Sequence, residues 1–185
     1  MVAGSILPVA FNDKGDLCFL FGKENPMEDS AKGYSDFGGR LEKGETPYEG
    51  ALREGSEEVT GFFGDKKQLR KLIKKNGGFY PITIGTYHIH VFHMDYDEKL
   101  PFYYNNNHRF LWNNMNKKIL NDSKYFEKIE INWFSVSQIK ERRNEFRSFY
   151  REFLDEILLH HEKKIVRFIK NKASVNKTRK KKIAL

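Results

Sequence analysis

Three glutamates have a spacing that places their carboxylates on one side of a helix. Glu54, Glu57 and Glu58 follow the pattern i, i+3 and i+4, so at about 100° per residue they form a single arc. Like charges at this spacing repel one another, and the charges on a solvated helix would more naturally alternate in sign. A divalent cation such as Mg²⁺ or Mn²⁺ removes this conflict because it binds carboxylate oxygens. Taken alone, the triplet is more typical of a solvated acidic surface than of a metal site.

Two adjacent glycines precede the acidic segment and change its interpretation. Gly38 and Gly39 lie in the loop directly ahead of it. Because glycine has no Cβ, it allows the backbone to approach a ligand closely. A close backbone approach beside clustered carboxylates favours a metal and phosphate site over a solvated surface.

The stretch that begins at Gly39 resembles the Nudix box. The box runs glycine, five residues, glutamate, seven residues, Arg-Glu, an aliphatic residue, any residue and Glu-Glu, and it closes with any residue, glycine and an aliphatic residue. Six fixed positions match in register: Gly39, Glu45, Arg53, Glu54, Glu57 and Glu58. A match of this length is far more specific than an isolated glycine pair.

The sequence departs from the box at two places. Gly55 stands where the family has an aliphatic residue, and the closing glycine, Gly61, comes one residue late. Helical periodicity puts Gly55 on the core face, so we expect a cost in helix propensity of about 1 kcal/mol relative to alanine. We also expect an aromatic side chain to fill the space beside it. The late glycine changes how the helix ends and leaves the conformation of the following loop open.

The resemblance implies roles for the residues of the box. The metal ligands would be the backbone carbonyl of Gly39 and three carboxylates, those of Glu54, Glu57 and Glu58. Glu45 and Arg53 would form an orienting ion pair, and Arg53 would act in catalysis together with Glu57 and Glu58. The bound Mg²⁺ or Mn²⁺ ions would neutralise a diphosphate, lower the pKa of a water molecule and position it for in-line attack on phosphorus.

Residues outside the acidic helix complete the candidate site. In some family members the general base is a box glutamate and in others it is a distal acidic residue. Glu130 occupies a place that resembles the distal position, with Glu127 as the weaker candidate and an ordinary charge at a strand edge as the alternative. Four residues are candidates for contacts with substrate phosphate or base: Lys23, Tyr34, Gly38 and Arg40.

The surrounding patterns predict a mixed α/β domain. Asn12 and Gly15 lie between two apolar runs and predict an opening hairpin, while Thr46 and Glu49 predict a capping box at the start of the acidic helix. Further patterns predict a helix at 66–75, sheet within 79–96, a strand at 129–136 and a long or broken C-terminal helix from 137 to about 170. The resemblance implies the same architecture, a Nudix-like mixed sheet sandwiched between helices. An insertion rich in aromatics and asparagine is predicted at about 97–122.

The net charge of +8 is confined to the C-terminal end. Ten of the 33 Lys and Arg residues follow Glu162 and no acidic residue does, which leaves 23 basic against 25 acidic side chains before it. We therefore predict a hydrolase domain at 1–162, followed at 163–185 by a basic helix end and a disordered tail. The basic cluster at 177–182 could bind RNA, direct nuclear import or only solvate the chain end.

Cysteine content and hydropathy limit the compartment. The single cysteine, Cys18, excludes an intramolecular disulfide and fits a reducing environment. No run approaches the about 18 apolar residues that a membrane span requires. The sequence therefore predicts a cytoplasmic protein, with the nucleus as an alternative through the basic cluster.

The predicted function is cleavage of a diphosphate bond in a substrate built on a nucleoside diphosphate. A small nucleotide suits the slightly acidic body, and the 5′ cap of mRNA suits the basic tail and the aromatic insertion. The resemblance also implies diphosphoinositol or dinucleoside polyphosphate substrates, and it is compatible with a homodimer. From another class, a non-catalytic Nudix-fold module could bind nucleotide or RNA, but such a module would not need mutually repelling carboxylates.

Overall fold

The computed structural model describes residues 1–25, 32–116, 118–119 and 127–171. Within them the strands are β1 (Ala3–Phe11), β2 (Leu17–Glu24), β3 (Tyr34–Ser35), β4 (Phe37–Arg40), β5 (Phe79–Ile84), β6 (Tyr87–His93) and β7 (Lys128–Ser135). The helices are α1 (Pro47–Glu58), α2 (Lys66–Lys75), α3 (Leu100–Asn114), α4 (Val136–Glu141) and α5 (Tyr150–Glu156). A 3₁₀ turn at Arg143–Glu145 and a π-helical turn at Ile157–His161 interrupt the C-terminal part, which stays helical over 162–171.

The strands form one mixed sheet. Its main order is β3-β2-β1-β6-β5, with β4 paired to β1 and β7 paired to β2. β1 runs antiparallel to β2 and β4 and parallel to β6. The predicted opening hairpin is confirmed, and Asn12 makes its turn because its Oδ1 accepts from the backbone N–H groups of Lys14 at 3.0 Å and Asp16 at 2.8 Å.

Both faces of the sheet are covered, which confirms the predicted sandwich. Successive side chains of a strand point to opposite faces, so Ile6 and Leu7 of β1 belong to different core clusters. Ile6 packs in the cluster that includes Leu52 of α1 and the buried side chains of α2. Leu7 packs in the cluster that includes Tyr150 and the rest of the C-terminal helix. The acidic helix therefore lies on only one of the two faces of the sheet.

Helix α1 begins where its capping box predicts. The Thr46 hydroxyl accepts from the N–H of Glu49 at 3.3 Å, and the Glu49 carboxylate accepts from the N–H of Thr46 at 3.1 Å. A Cβ on Gly4 of β1 would lie 2.2 Å from the carbonyl oxygen of Pro47, so the missing side chain lets the helix start approach the sheet. At the other end Gly61 has φ of 75° and donates to the carbonyl of Ser56 at 3.1 Å. The late glycine thus ends the helix in the left-handed conformation.

Gly55 corrects one expectation of the sequence analysis. A Cβ at this position would lie 2.5 Å from Cδ1 of Ile6. The space beside Gly55 is therefore filled by an aliphatic side chain from β1, and not by an aromatic one. The aliphatic group that the family pattern has on the helix comes here from the strand below it.

The predicted insertion contains helix α3, which packs against the free edge of β7. The Asn105 amide accepts from the N–H of Ile131 at 2.9 Å and donates to its carbonyl at 3.2 Å, so one side chain satisfies both backbone groups. The Tyr104 hydroxyl lies 3.1 Å from the carbonyl oxygen of Glu58 and 3.0 Å from that of Lys128. α3 is therefore tied both to the sheet and to the end of α1. Residues 117 and 120–122 of the predicted insertion lie outside the described residues.

The C-terminal helix continues beyond residue 162. Ile165 and Ile169 are buried in the same core cluster as Tyr150, while the neighbouring basic residues Lys164, Arg167 and Lys170 are exposed. Of the basic helix end and tail predicted at 163–185, residues 172–185, including the basic cluster at 177–182, lie outside the described residues. In the part of the chain that is described, no helix is long and apolar enough to cross a membrane.

Candidate active site

A clamp centred on Arg53 organises the first part of the site. Its guanidinium holds the Glu45 carboxylate through two hydrogen bonds, from Nε to Oε1 and from Nη2 to Oε2, each 3.0 Å long. Nη2 also donates to the backbone carbonyl of Arg40 at 3.0 Å, and Nη1 donates to Oε1 of Glu54 at 2.8 Å. Such forked bonds are charge-assisted and fix the geometry of both partners. The clamp therefore ties the end of β4 and the loop after it to the acidic helix.

The Arg53 clamp changes the acidity of Glu45. The hydrogen bonds from Arg53 lower the pKa of the Glu45 carboxyl to about 2, against burial, which acts in the opposite direction. The same bonds raise the pKa of the Arg53 guanidinium. The Glu45–Arg53 pair is therefore ionised at every pH well above 2. This arrangement places together the two residues of the predicted orienting ion pair.

Glu54 lies directly over the backbone of Gly39. A Cβ on Gly39 would lie 2.6 Å from both Cδ and Oε1 of the Glu54 carboxylate. Only glycine leaves room for this contact, so the sequence spacing of 15 residues corresponds to a physical contact between β4 and α1. Gly38 has a different environment, because a Cβ there would lie 2.3 Å from Cβ of Ser5 in β1. Its missing side chain serves strand packing.

Glu57 is the most accessible carboxylate of the arc. Its side chain is 38% exposed, and its nearest cationic group is Nη1 of Arg53 at 3.6 Å. This distance is an ion pair without a hydrogen bond. Glu57 therefore has room to turn towards a ligand, whereas Glu54 is already bonded to Arg53.

Glu58 belongs to a second, fully buried cluster around Lys128. Nζ of Lys128 lies 3.2 Å from Oε1 of Glu58 and 3.1 Å from the hydroxyl of Ser35, and it also donates to the Glu24 carboxylate. Arg147 donates to Glu24 in turn. Three strands and a C-terminal segment thus converge near the last residue of α1.

Burial sets the protonation behaviour of this Lys128 cluster. It raises the pKa of the Glu58 carboxyl well above its usual range, with the nearby charge of Lys128 opposing the shift. Burial alone would lower the pKa of Lys128, but Glu58 and Glu24 outweigh it and the pKa is raised. Among the described residues, Oε2 of Glu58 is buried without a hydrogen-bond partner, which is costly for a carboxylate oxygen.

The residues of the arc suit a hard divalent cation by chemistry and position. Carboxylate oxygens are the ligands that Mg²⁺ and Mn²⁺ prefer, and Oε2 of Glu58 is a buried acceptor that a cation would satisfy. In the described parts of the chain, however, no three Asp, Glu, His or Cys side chains converge closely enough to hold an ion. Glu54 is turned towards Arg53, and Glu58 towards Lys128. Metal binding therefore requires a change of side-chain rotamers.

The distal acidic residue Glu130 lies in a separate hydrogen-bonded group. Its Oε1 accepts from the Tyr34 hydroxyl at 2.6 Å and from the Asn132 amide, and its Oε2 lies 3.7 Å from Nζ of Lys23. Burial and the bond to Glu130 raise the pKa of Tyr34. The Tyr34 ring packs against Phe134 in the core cluster on the face opposite α1. These contacts bring three predicted site residues, Lys23, Tyr34 and Glu130, together.

The remaining predicted contacts lie near the surface. Arg40 is exposed at the end of β4, and its backbone carbonyl is held by Arg53. Lys23 is half-buried beside Glu130. Glu127, the weaker candidate for the base, is close enough to Glu58 for its charge to raise the pKa of that carboxyl.

Comparison with known proteins agrees with this geometry. The family model described as NUDIX domain matches residues 3–157, which is most of the chain. The chain belongs to the Nudix family. It is therefore a hydrolase of the pyrophosphatase type, and the predicted recognition, fold class and enzyme class are confirmed. Nudix hydrolases act on nucleotide diphosphate substrates and generally use divalent metals such as Mg²⁺ or Mn²⁺.

Solved structures of Nudix proteins resemble the chain in outline. The Nudix hydrolase RenU from M. smegmatis is 14% identical, with 85% of each chain covered and a TM-score of 0.48. An Ap4A hydrolase from C. elegans in a binary complex is 13% identical, with 83% of this chain and 90% of that chain covered and a TM-score of 0.45. A MutT protein from Methanosarcina mazei Go1 is 16% identical, with 88% and 95% covered and a TM-score of 0.43. A search of curated proteins found no match. Likenesses this distant carry no argument about substrate.

Sequence patterns did not predict Lys128, Glu24 and Arg147, which form the Lys128 cluster with Glu58. Lys128, Glu24 and Arg147 come from three distant segments, and none of them stands out by type or spacing. Tyr104 lies in the predicted insertion, and no individual role was predicted for it. The one available signal was a lysine directly ahead of an apolar strand, which is too common to indicate a buried charge.

Proposed function

We propose that the chain is a divalent-metal-dependent pyrophosphohydrolase that cleaves a diphosphate bond in a substrate built on a nucleoside diphosphate. The observation that carries this proposal is the contact of the Glu54 carboxylate with the backbone of Gly39, held from the side by Arg53. It places carboxylate oxygens over Gly39, which has no Cβ to obstruct a phosphate. Glu54, Glu57 and Glu58 would hold the ions, with the carbonyl of Gly39 as a further ligand.

In this proposal the protein contributes positioning and a proton acceptor. A bound divalent ion would neutralise phosphate oxygens and lower the pKa of a water molecule. Arg53 holds Glu54 beside Gly39, and Glu45 keeps Arg53 in place. The water oxygen forms a bond to one phosphorus, the bridging P–O bond breaks, and its electron pair leaves with the departing phosphate. The proton of the water passes to a carboxylate.

We assign the proton-accepting role to Glu57. It is the most exposed carboxylate of the arc and its ion pair with Arg53 is long, so it can reach a water molecule. Glu130 is the alternative, but Tyr34 and Asn132 already hold its Oε1. Arg40 is the proposed phosphate contact, because its exposed side chain leaves β4 next to Gly39.

The test is product release with Mg²⁺ or Mn²⁺ from a substrate panel. The panel contains ADP-ribose, diadenosine polyphosphates, capped RNA and a diphosphoinositol. Capped RNA is included because six of the ten basic residues that follow Glu162 lie beyond Asn171. A chain ending at Asn171, which keeps the buried Ile165 and Ile169, measures their contribution. We expect metal-dependent turnover of at least one nucleotide substrate.

The control variants separate chemistry from folding. Glu57→Gln should abolish turnover, whereas Glu152→Gln, which changes an exposed glutamate of α5, should leave it intact. Glu130→Gln tests the alternative base. Turnover of no panel member by folded protein with either metal would contradict the proposal and favour a binding module.

A further inference from the structure

Helix α2 concentrates positive charge on a domain that is otherwise acidic. Six of its ten residues are basic and none is acidic: Lys66, Lys67, Arg70, Lys71, Lys74 and Lys75. Of the 23 basic side chains in residues 1–162, these six leave 17 elsewhere, against 25 acidic ones. All six cations of α2 are exposed or partly exposed. α2 is therefore a local positive surface on a negatively charged body.

The outer face of α2 carries three of these cations in a line. Lys67, Lys71 and Lys75, which we call the lysine row, are spaced four residues apart and follow one another at about 6 Å along the helix axis. All three are exposed. The buried residues Leu69 and Ile73 lie on the opposite side of the helix, in the same core cluster as α1. The packing of α2 therefore presents the lysine row to solvent.

The lysine row differs from its neighbours in having no acidic partner. Lys66 lies 3.7 Å from the carboxylate of Glu45, and Arg70 lies 4.0 Å from that of Glu49. Among the described residues, no ion pair neutralises the lysine row. Like charges at a spacing of four residues repel one another, and a face that served only solubility would more naturally alternate in sign. A ligand with repeated negative charges would remove this repulsion.

The basic surface begins beside the Arg53 clamp and runs back along the acidic helix. Its first residue contacts Glu45, which the clamp holds. Leu69 lies 3.6 Å from the position of a Cβ on Gly55, near the middle of α1, whereas Ile73 lines a cavity with Tyr48 at the start of α1. The two helices therefore run in roughly opposite directions, and α2 extends for about 15 Å from the clamp. A chain of phosphates that continued from a diphosphate at the arc would have this surface beside it.

The chemistry of this surface suits phosphates better than a membrane or a protein partner. A membrane-binding helix buries its apolar face in the lipid, but the apolar residues Leu69 and Ile73 of α2 are already buried in the core. A protein interface has an apolar centre in which lysine is depleted, and none of the large apolar side chains of α2, a helix described in full, is exposed. Lysine ammonium groups bind phosphate as mobile point charges.

We propose that the lysine row binds the phosphate backbone of an RNA chain that continues from the nucleoside diphosphate at the arc. The proposal rests on the function proposed above and assigns the substrate class of that site. An RNA strand presents one negative charge per nucleotide, which is the repeated charge that the three lysines match. Contacts to phosphates position a strand without reading its bases, so binding is independent of sequence. A small nucleotide has no further phosphates to place along α2.

The direct test measures RNA binding without catalysis. The full chain is titrated in EDTA with a fluorescent, unstructured capped RNA of about 12 nucleotides, a length within the range of single-strand binding sites. Replacing the whole lysine row by glutamine should lower the affinity by about 10- to 100-fold at about 0.1 M salt. The slope of log affinity against log salt should become shallower by about 2, because three phosphate contacts are lost. Replacing the row by arginine keeps the charge and should retain the affinity.

The matched control removes the same charge from the opposite face of the sheet. Lys140, Lys163 and Lys164 are exposed, and the buried residues beside them, Ile139 and Ile165, belong to the core cluster on the face away from α1. Replacing these three lysines by glutamine should change the affinity and the salt slope far less than the change in the lysine row. Equal losses in the two triple variants would attribute RNA binding to net charge and overturn the docking surface.

Further outcomes separate the docking surface from the hydrolase and from other partners. For capped RNA that is hydrolysed, the glutamine variant of the lysine row should raise KM with kcat nearly unchanged. Unaltered RNA affinity in this variant, with turnover abolished by Glu57→Gln, would overturn RNA docking and leave the hydrolase standing. Affinity that depends on the lysine row in a protein that hydrolyses no panel substrate would support the docking surface and count against the proposed reaction. Binding through the lysine row to phosphatidylserine vesicles but not to RNA would overturn the proposal in favour of a membrane surface.

Discussion

The acidic helix carries two clusters, each built around one cation, and they differ in burial. The Arg53 clamp holds Glu45 and Glu54 near the surface, and the Arg53 side chain is 15% exposed. The Lys128 cluster holds Glu58 and Glu24 in the interior, and the Lys128 side chain is 0% exposed. The compact ammonium group of Lys128 therefore lies in the buried cluster, and the forked guanidinium group of Arg53 lies in the cluster near the surface.

The difference in burial reverses the effect on the carboxyl groups. The Arg53 clamp lowers the pKa of Glu45 to about 2, whereas burial raises the pKa of Glu58 despite the cation beside it. Near the surface, charge-assisted hydrogen bonds exceed the cost of desolvation; in the interior, desolvation exceeds the attraction. The Arg53 clamp should therefore govern the geometry of the site, and the Lys128 cluster should govern stability.

The largest expected effect is that of Lys128→Met. It leaves the buried Glu58 without its cation and Glu24 with Arg147 as its remaining cationic partner, which should lower the free energy of unfolding by about 3–5 kcal/mol. Urea denaturation followed by circular dichroism measures this change. Adding Glu58→Gln should restore part of the loss, because one uncompensated charge is removed.

The control for Lys128→Met is Lys23→Met. Lys23 is partly exposed and 3.7 Å from Glu130, so its loss should cost less than about 1 kcal/mol. Equal losses for the two lysines would show that burial does not distinguish the clusters.

Arg53→Lys should have a larger effect on the affinity for metal than on the stability of the fold. Lysine cannot make the two parallel bonds to Glu45 and also hold Glu54. We expect the affinity for Mn²⁺, measured by calorimetry, to fall by about 10- to 100-fold, with a smaller loss of stability than in Lys128→Met. Arg70→Lys, at an exposed residue of α2 that is 4.0 Å from Glu49, should change neither quantity. An unaltered Mn²⁺ affinity in Arg53→Lys would contradict a role of the Arg53 clamp in metal binding.

Gly39→Ala tests the contact between β4 and Glu54. The new Cβ would lie 2.6 Å from the carboxylate, so Glu54 must turn away, and the affinity for Mn²⁺ should fall by about tenfold. Gly15→Ala is the control, because it adds a Cβ in open space at φ of +84° in the first hairpin. That change should cost about 1 kcal/mol of stability and leave metal binding intact. Equal metal affinities in the two variants would contradict the assigned contact.

The smallest expected effect is on acid stability. The pKa of Glu45 is lowered from 4.5 to about 2 in the folded protein, so its contribution is present above about pH 4.5 and is lost as the pH falls towards 2. Thermal melts between these values should show that wild type loses more stability than Glu45→Gln, until the two curves converge. Parallel curves would mean that the Arg53 clamp does not favour the ionised Glu45.

Local sequence patterns predicted most of the elements. Thr46 and Glu49 marked the start of α1, helix α2 lies at the predicted 66–75, and the first hairpin forms around Asn12. Caps and turns are contacts between residues a few positions apart, so their chemistry is visible in the sequence. The C-terminal helix was predicted less precisely, since its breaks at 142–149 depend on packing of Phe146 and Tyr150 in the core.

Long-range contacts escaped the sequence analysis for a physical reason. Lys128 and Glu24 are 104 positions apart, and Asn105 pairs with the edge of β7 across 26 positions. Each residue alone is an ordinary polar side chain, and only the fold removes water from around it. The aliphatic filling beside Gly55 was missed in the same way, because Ile6 reaches it from another element.

The sequence by itself determined the family, the helix that carries the acidic arc and the pairing of Glu45 with Arg53, because these depend on residues within a span of about 20 positions. Only the tertiary structure decided that Glu58 is buried against Lys128, that Glu130 is hydrogen-bonded to Tyr34, and that α3 opens a cavity beside β7. Desolvation and cavity shape arise from segments that meet only after the chain has folded.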